Sequence, residues 1–436
     1  MGSLTRRASL GLVLALWLVL VQLNTVAAFS GFGAMTATAT YGVGMTFTVQ
    51  LPGGAPDRLE LLLRFGGSDD TFVAPVSAGA TSAKYHWDAT TIPLTPNTPV
   101  AYRWRATSSG SVTLSPEGKL LYDDDRPGLN WQSARIGDAT VHWYGGAESE
   151  ARTFGAITAD AASAAEKLFG HSLAGPIDLF VYASHDDFFG ALGPGAREWT
   201  GAATFPELRT VFMWLGAGSA SYLERTVTHE VTHVVFYDAT HNPFHEPAHW
   251  FNEGLAVWSE QQSASAQHST VESAAGNGLL AFDGIAESFP ISATAAGLSY
   301  AEGATMVQMI IDHYGRGAIA RIIAAYSAGA GDEEALQAGT GVTAAKLYAT
   351  YFAAFGVAAP QRVQPAPILP SNVNKPPQPL SSAAPATEAS PSPTSAPTPA
   401  EDNGAGLQIL AGAIILVAIV GGIAFLVRRR AKVGAP

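Results

Sequence analysis

Five consecutive residues in the middle of the chain, His229-Glu230-Val231-Thr232-His233, bring together groups that can do hydrolytic chemistry. On a helix, side chains four apart project from one face about one turn apart, so two imidazoles at this spacing can grip a single metal ion. Neutral imidazole nitrogen suits Zn²⁺, whose catalytic sites take three protein ligands and leave a fourth position for water. Glu230 directly follows His229 and is turned roughly 100° from it, so its carboxylate can reach that water without ligating the metal. Zinc lowers the pKa of such a water towards about 7 and polarises a carbonyl, while a carboxylate takes the proton and hands it to the leaving amine. The expected chemistry is metal-assisted hydrolysis, with His229 and His233 as ligands and Glu230 as general base. A third ligand has to come from elsewhere.

With nineteen residues between it and His233 stands Glu253, in Trp250-Phe251-Asn252-Glu253-Gly254-Leu255-Ala256. This combination resembles the gluzincin metallopeptidases, in which H-E-x-x-H is followed about 20 residues later by an N-E-G-x-A-type helix whose Glu completes the zinc site. It is most similar to the peptidase MA-like domains of bacterial surface proteins. The resemblance implies Glu253 as third ligand, Zn²⁺ as the metal and a peptide or protein as substrate. The metzincin pattern is absent, because Phe236 and Ala239 occupy the positions of its Gly and third His. Val257 stands four after Glu253, where the thermolysin pattern has an Asp supporting a histidine. Gluzincins also supply a tyrosine or histidine from the C-terminal half to stabilise the tetrahedral oxyanion. Tyr300 is the candidate here.

These groups need a helix under the first motif and a framework around it. Ser221 and Glu224 form an S-x-x-E capping box, and Leu223, Val227, Val231, Val234 and Val235 are apolar at near-helical intervals. His241, His245 and His249 repeat every four residues, but Pro243 breaks any helix there, so they read as loop histidines. Ala139–Tyr144 and Ile177–Tyr182 read as buried strands with an alanine-rich helix, Glu148–Phe169, between them. Arg209–Trp214 reads as a further strand. By the resemblance, Arg209–Leu215 is the sheet edge over the cleft, to which a substrate chain adds as an extra strand. The polar stretch after Glu260, up to Gly278, reads as a lid or loop. Tyr300 opens an amphipathic helix running through His313, with Met306, Met309, Ile310 and Ile311 inward.

Ahead of this unit, residues 29–131 show short alternating runs, Met45–Leu51, Leu59–Phe65 and Val100–Ala106, separated by Gly/Pro/Ser/Asp turns. That spacing predicts an antiparallel sandwich. Leu94–Tyr102 is similar to the tyrosine-corner segment of fibronectin type III domains; Trp104 is expected in the core, and Asp123-Asp124-Asp125 as a solvated turn. Residues 1–28 carry Arg6 and Arg7, an apolar run from Leu10 to Val21 and small residues before a cut after Ala27 or Ala28, the pattern of a secretory signal. Residues 358–406 are rich in Pro, Ser, Thr and Ala and read as an extended stalk. Residues 407–427 are apolar enough to span a bilayer, and the basic tail 428–436 with Arg428-Arg429-Arg430 and Lys432 is then cytoplasmic.

The net charge is −12, and the basic leader and tail account for +6 of the positive charge, leaving −18 on the part between them. Such a balance argues against nucleic acid as a partner. With no cysteine, disulfide scaffolds and thiol nucleophiles are excluded. The expectation is an all-β Ig/fibronectin-III-like sandwich followed by an α+β zincin-like catalytic domain over residues 139–357, held outside the cell membrane by one C-terminal helix. The rival classes are a surface adhesion protein with an inactive zincin platform and a zinc amidase acting on cell-wall material.

Overall fold

The computed structural model describes residues 29–66, 68, 70–193, 201–260 and 264–360. The expected signal, membrane span, basic tail and all but residues 358–360 of the stalk lie outside the described residues. Among those described, no helix is long and apolar enough to cross a membrane.

The N-terminal part is built from strands whose alternate residues are apolar. Strand β2 (Gly44–Gln50) buries Met45, Phe47 and Val49, β3 (Arg58–Phe65) buries Leu59, Leu61 and Leu63, and β6 (Thr98–Ser108) buries Val100, Tyr102, Trp104 and Ala106. A period of two puts such residues on one face of each strand. With β1 (Met35–Thr40), β4 (Phe72–Val76), β5 (Ser82–Asp88), β7 (Ser111–Leu114) and β8 (Gly118–Tyr122), they form two antiparallel sheets, ordered β1-β2-β5 and β4-β3-β6-β7, with β8 also paired to β6. The inner faces of both sheets share one core, in which Trp104 is fully buried. Asp124, expected in a solvated turn, is instead buried: its carboxylate takes both arms of the Arg126 guanidinium at 2.6 Å and accepts the Tyr182 hydroxyl at 3.1 Å. Only Asp123 and Asp125 of that acidic run are exposed.

The second part centres on a five-stranded sheet ordered β12-β13-β11-β10-β9, comprising β9 (Gln132–Ile136), β10 (Ala139–Trp143), β11 (Ile177–Tyr182), β12 (Ala202–Phe205) and β13 (Thr210–Trp214). The three central strands are parallel, and the two edges are antiparallel to their neighbours. Helix α1 (Glu148–Phe169) makes the β10-to-β11 crossover and ends at Gly170, whose φ of 67° is the left-handed conformation that glycine adopts without strain. A short helix α2 (His185–Leu192) follows β11. The remaining helices are α3 (Ala220–Thr240), α4 (His249–Ser259), α5 (Ala264–Ala275), α6 (Ala293–Tyr314), α7 (Gly317–Ser327), α8 (Asp332–Thr340) and α9 (Ala344–Ala354). One core runs from the sheet through α1 and α3 into α4, α6, α7 and α9.

Three sequence expectations change here. Strand β13 is an interior strand, hydrogen-bonded on both sides, and the edge is β12. A tight connection makes this possible: a single 3₁₀ turn, Pro206–Leu208, and Arg209 at φ 52° fold the chain back on itself. The polar stretch after Glu260 contains helix α5, pinned by the fully buried Val271. Helix α6 begins two turns before Tyr300, where the Ser292 side chain accepts the Ala295 N–H.

Candidate metal centre

Helix α3 starts where the Ser219 side chain accepts the Tyr222 N–H, two residues ahead of the expected cap at Ser221. Its inward face carries Leu223, Val227, Val231, Val234 and Val235, all essentially buried, and this packing fixes the rotation of the helix. Consequently His229, Glu230 and His233 are buried as well, with the two imidazole centroids 4.8 Å apart.

Helix α4 brings the third side chain. It packs on α3 and, much more closely, on α6, where Gly254 and Gly303 meet backbone to backbone. A Cβ at Gly254 would fall 2.6 Å from the Gly303 carbonyl, so both positions need hydrogen for a side chain. The approach buries Glu253 completely and turns its Oε2 to Nε2 of His229 at 3.3 Å and Nε2 of His233 at 3.5 Å. Ligand atoms of these three residues lie within 4.8 Å of one another.

The opposite nitrogens of both imidazoles are held. Nδ1 of His229 is 2.7 Å from Glu260 Oε1, and Nδ1 of His233 is 2.9 Å from Asn252 Oδ1. An acceptor at Nδ1 places a hydrogen there and leaves Nε2 as the nitrogen that faces inward. Asn252 and Glu260 were not singled out from the sequence. The supporting carboxylate comes from Glu260, seven residues after Glu253, because Val257 cannot serve and Glu260 caps the end of the same helix.

Nε2 of both histidines and both oxygens of Glu253 are buried without a hydrogen-bond partner. Orphaned polar atoms in the interior are costly, and several converging on one point fit a bound cation. Two imidazole nitrogens with one carboxylate oxygen is a donor set suited to catalytic zinc. Burial pulls the His229 pKa down, but the carboxylates of Glu253 and Glu260 outweigh it and push the imidazole up to about 10. Glu253 is held well below the usual carboxylate range: its burial opposes ionisation, and His233 and His229 overcome it.

Glu230 lies beside this cluster. Its Oε2 accepts the hydroxyl of Thr204, on the edge strand β12, and its Oε1 is buried without a partner. Burial raises its pKa above the ordinary value, against the pull of both histidines. Tyr300 is partly buried, its ring centroid 6.5 Å from that of His229, and Phe289 stands edge-on to it at 4.9 Å. The loop histidines separate into three fates. His241 stacks on Tyr237 at 4.6 Å, and His245 lies 3.2 Å from Asp332. His249, expected in a loop, is the first residue of α4, with Nε2 3.7 Å from Glu253 Oε1.

None of the curated proteins matches the chain. Among solved structures, it is similar to an aminopeptidase N family protein from Idiomarina loihiensis, at 9% identity and a TM-score of 0.37, covering 67% of this chain and 70% of that one. It is also similar to the M1 zinc metallopeptidase from Deinococcus radiodurans, at 14% identity and a TM-score of 0.31, covering 78% of this chain and 98% of that one. Residues 158–355 match the model of the Peptidase MA superfamily, and they contain all five residues expected to form the site: that stretch is similar to a peptidase MA domain.

Proposed function

We propose that this chain is a zinc-dependent metallopeptidase that hydrolyses peptide bonds, with His229, His233 and Glu253 as the metal ligands and Glu230 as general base. The observation that carries the reading is the convergence of unpartnered, fully buried Nε2, Nε2 and carboxylate oxygens next to a second buried carboxylate with one free oxygen. Zn²⁺ bound there supplies Lewis acidity, acidifying a water and polarising the scissile carbonyl.

The residues of the chain do the rest. Glu230 Oε1 takes the proton from the attacking water and returns it to the leaving amine, while the Thr204 hydroxyl holds Oε2 and so fixes which oxygen is free. Desolvation suits Glu230 to this task, since a carboxylate with a raised pKa is a stronger base. Tyr300, whose ring centroid lies 6.5 Å from that of His229, is our candidate donor to the developing oxyanion. Strand β12 is the open edge of the sheet beside α3, so an extended substrate adds to β12 and runs past Glu230.

The N-terminal sheets, three strands (β1-β2-β5) against five (β4-β3-β6-β7 with β8 also on β6), support an Ig/fibronectin-III-like sandwich as the module in front of the enzyme. The sequence patterns of residues 1–28 and 407–436 support a reading in which the catalytic part lies outside the cell membrane on a single-pass C-terminal anchor. External protease should then remove the enzyme from intact cells, and its survival there would contradict that topology.

The test of the activity is hydrolysis of casein and a peptide library by the purified protein and by Glu230→Gln. The variant should keep its zinc and lose turnover by 10²-fold or more, the scale of a positioned general base. Equal activity in both would remove Glu230 from the mechanism.

A further inference from the structure

Two of the three ligand side chains have an obvious orienting partner, His229 with Glu260 and His233 with Asn252. The carboxylate of Glu253 has no hydrogen bond at either oxygen, although it is completely buried. Its Oε2 faces both imidazoles. Its Oε1 faces a third imidazole, that of His249, 3.7 Å away and one turn earlier on the same helix. We propose that His249 is the positioning residue for Glu253: its Nε2–H, 3.7 Å from Oε1 and outside hydrogen-bond range in this structure, closes on that oxygen when Oε2 engages a metal, so that the carboxylate offers one oxygen. The inference rests on the reading of the centre given above.

The setting of His249 supports the assignment. As the first residue of α4, it donates its backbone N–H to Ala286 at 2.6 Å, which ties the start of the helix to the loop before α6. Phe289 from that loop lies edge-on against the imidazole at 4.6 Å and against Tyr300 on the other side. The ring is therefore clamped between its own helix and an aromatic wall, and it retains 21% side-chain exposure. An imidazole needed only for packing would be replaceable by an aromatic hydrocarbon. One needed as a donor would not.

That contrast gives the experiment. Zinc affinity is measured by competition with a chromophoric chelator for the wild-type protein, His249→Gln and His249→Phe, alongside the visible absorption of the Co²⁺-substituted proteins and the melting of the metal-free ones. His249→Phe keeps the ring contact and removes the donor; it should bind zinc about 10- to 100-fold more weakly, the usual effect of losing an outer-shell partner. Its Co²⁺ bands should weaken, as a carboxylate free to present both oxygens raises the coordination number. His249→Gln restores a donor and should bind within about threefold of wild type, well inside that range. If His249→Phe does not melt cooperatively, His249→Leu makes the same comparison. Wild-type affinity and spectrum in the donor-less variant overturn the proposal, as does an equal loss in His249→Gln. A wild-type protein that binds no zinc overturns the reading of the centre itself, and tight wild-type binding with an unaltered His249→Phe overturns this inference alone.

Discussion

Glu302 sits on α6 one residue before Gly303, fully buried, with one carboxylate oxygen accepting the Leu280 N–H at 2.9 Å and the other unpartnered. Burial pushes its pKa up to about 7, and the Leu280 hydrogen bond offsets only part of that. The sign follows directly. In the unfolded chain a glutamate loses its proton near its ordinary value of about 4.3, while the folded protein keeps the proton until about pH 7. Stability is thus full below the lower value, falls as pH rises between the two and levels off above. The loss is on the order of 3 kcal/mol from the pKa difference. Urea unfolding at pH 5 and pH 8 should show this loss in the wild-type protein and most of it abolished in Glu302→Gln; an identical loss in both would remove Glu302 as its source. At this scale the spacing of His229, Glu230 and His233 was legible because a helix turns i and i+4 to one side. Asn252 and Glu260 as imidazole partners were not, since their contacts depend on how α4 crosses α3. His249 was misread because Pro243 does end a helix, yet the next one starts six residues later, just after Pro247.

Between elements, the decisive contact is that of α4 on α6. Gly254→Ala puts a methyl group into the Gly303 backbone, and Gly303→Ala puts one 2.6 Å from the Trp250 carbonyl. Backbone cannot yield as a flexible side chain can, so each change should cost about 2–3 kcal/mol, as overpacking does. Because α4 carries Glu253, zinc affinity should fall with stability. Unchanged melting and affinity in both variants would mean that the two helices do not need this proximity. The strands of the second part were readable from their buried apolar runs: the expected Ala139–Tyr144 contains β10, which ends at Trp143, and Ile177–Tyr182 is β11. Which strand forms the edge was not, because β12 has only four residues, Ala-Ala-Thr-Phe, and its place is set by pairing with β13. The edge strand is thus the one whose Thr204 touches Glu230, and the proposed substrate strand moves there with it.

Across the whole molecule, a small polar seam joins the N-terminal sheets to the second part. Arg126 spans it, bidentate to Asp124 and donating to the Asp187 carbonyl at 2.7 Å, while the Tyr41 hydroxyl donates to the Gly190 carbonyl at 2.8 Å. Arg126→Met strands the buried Asp124 carboxylate and should cost about 3 kcal/mol, typical of breaking one side of a buried pair. Calorimetry should then resolve two transitions in the variant where wild type gives one; a single unshifted transition would make the seam incidental. The alternation of β2, β3 and β6 announced the sandwich-like part in the sequence, but nothing local announced Asp124, whose burial arises only once both parts are in place. The proposed function rests on one bound cation, and the most direct test is the zinc bound per chain after dialysis against a weak chelator, by atomic emission. One equivalent is expected in the wild-type protein and in Glu230→Gln, and essentially none in Glu253→Ala or His233→Ala. Wild-type protein without zinc, or a full equivalent retained by both ligand variants, would contradict the assignment of His229, His233 and Glu253.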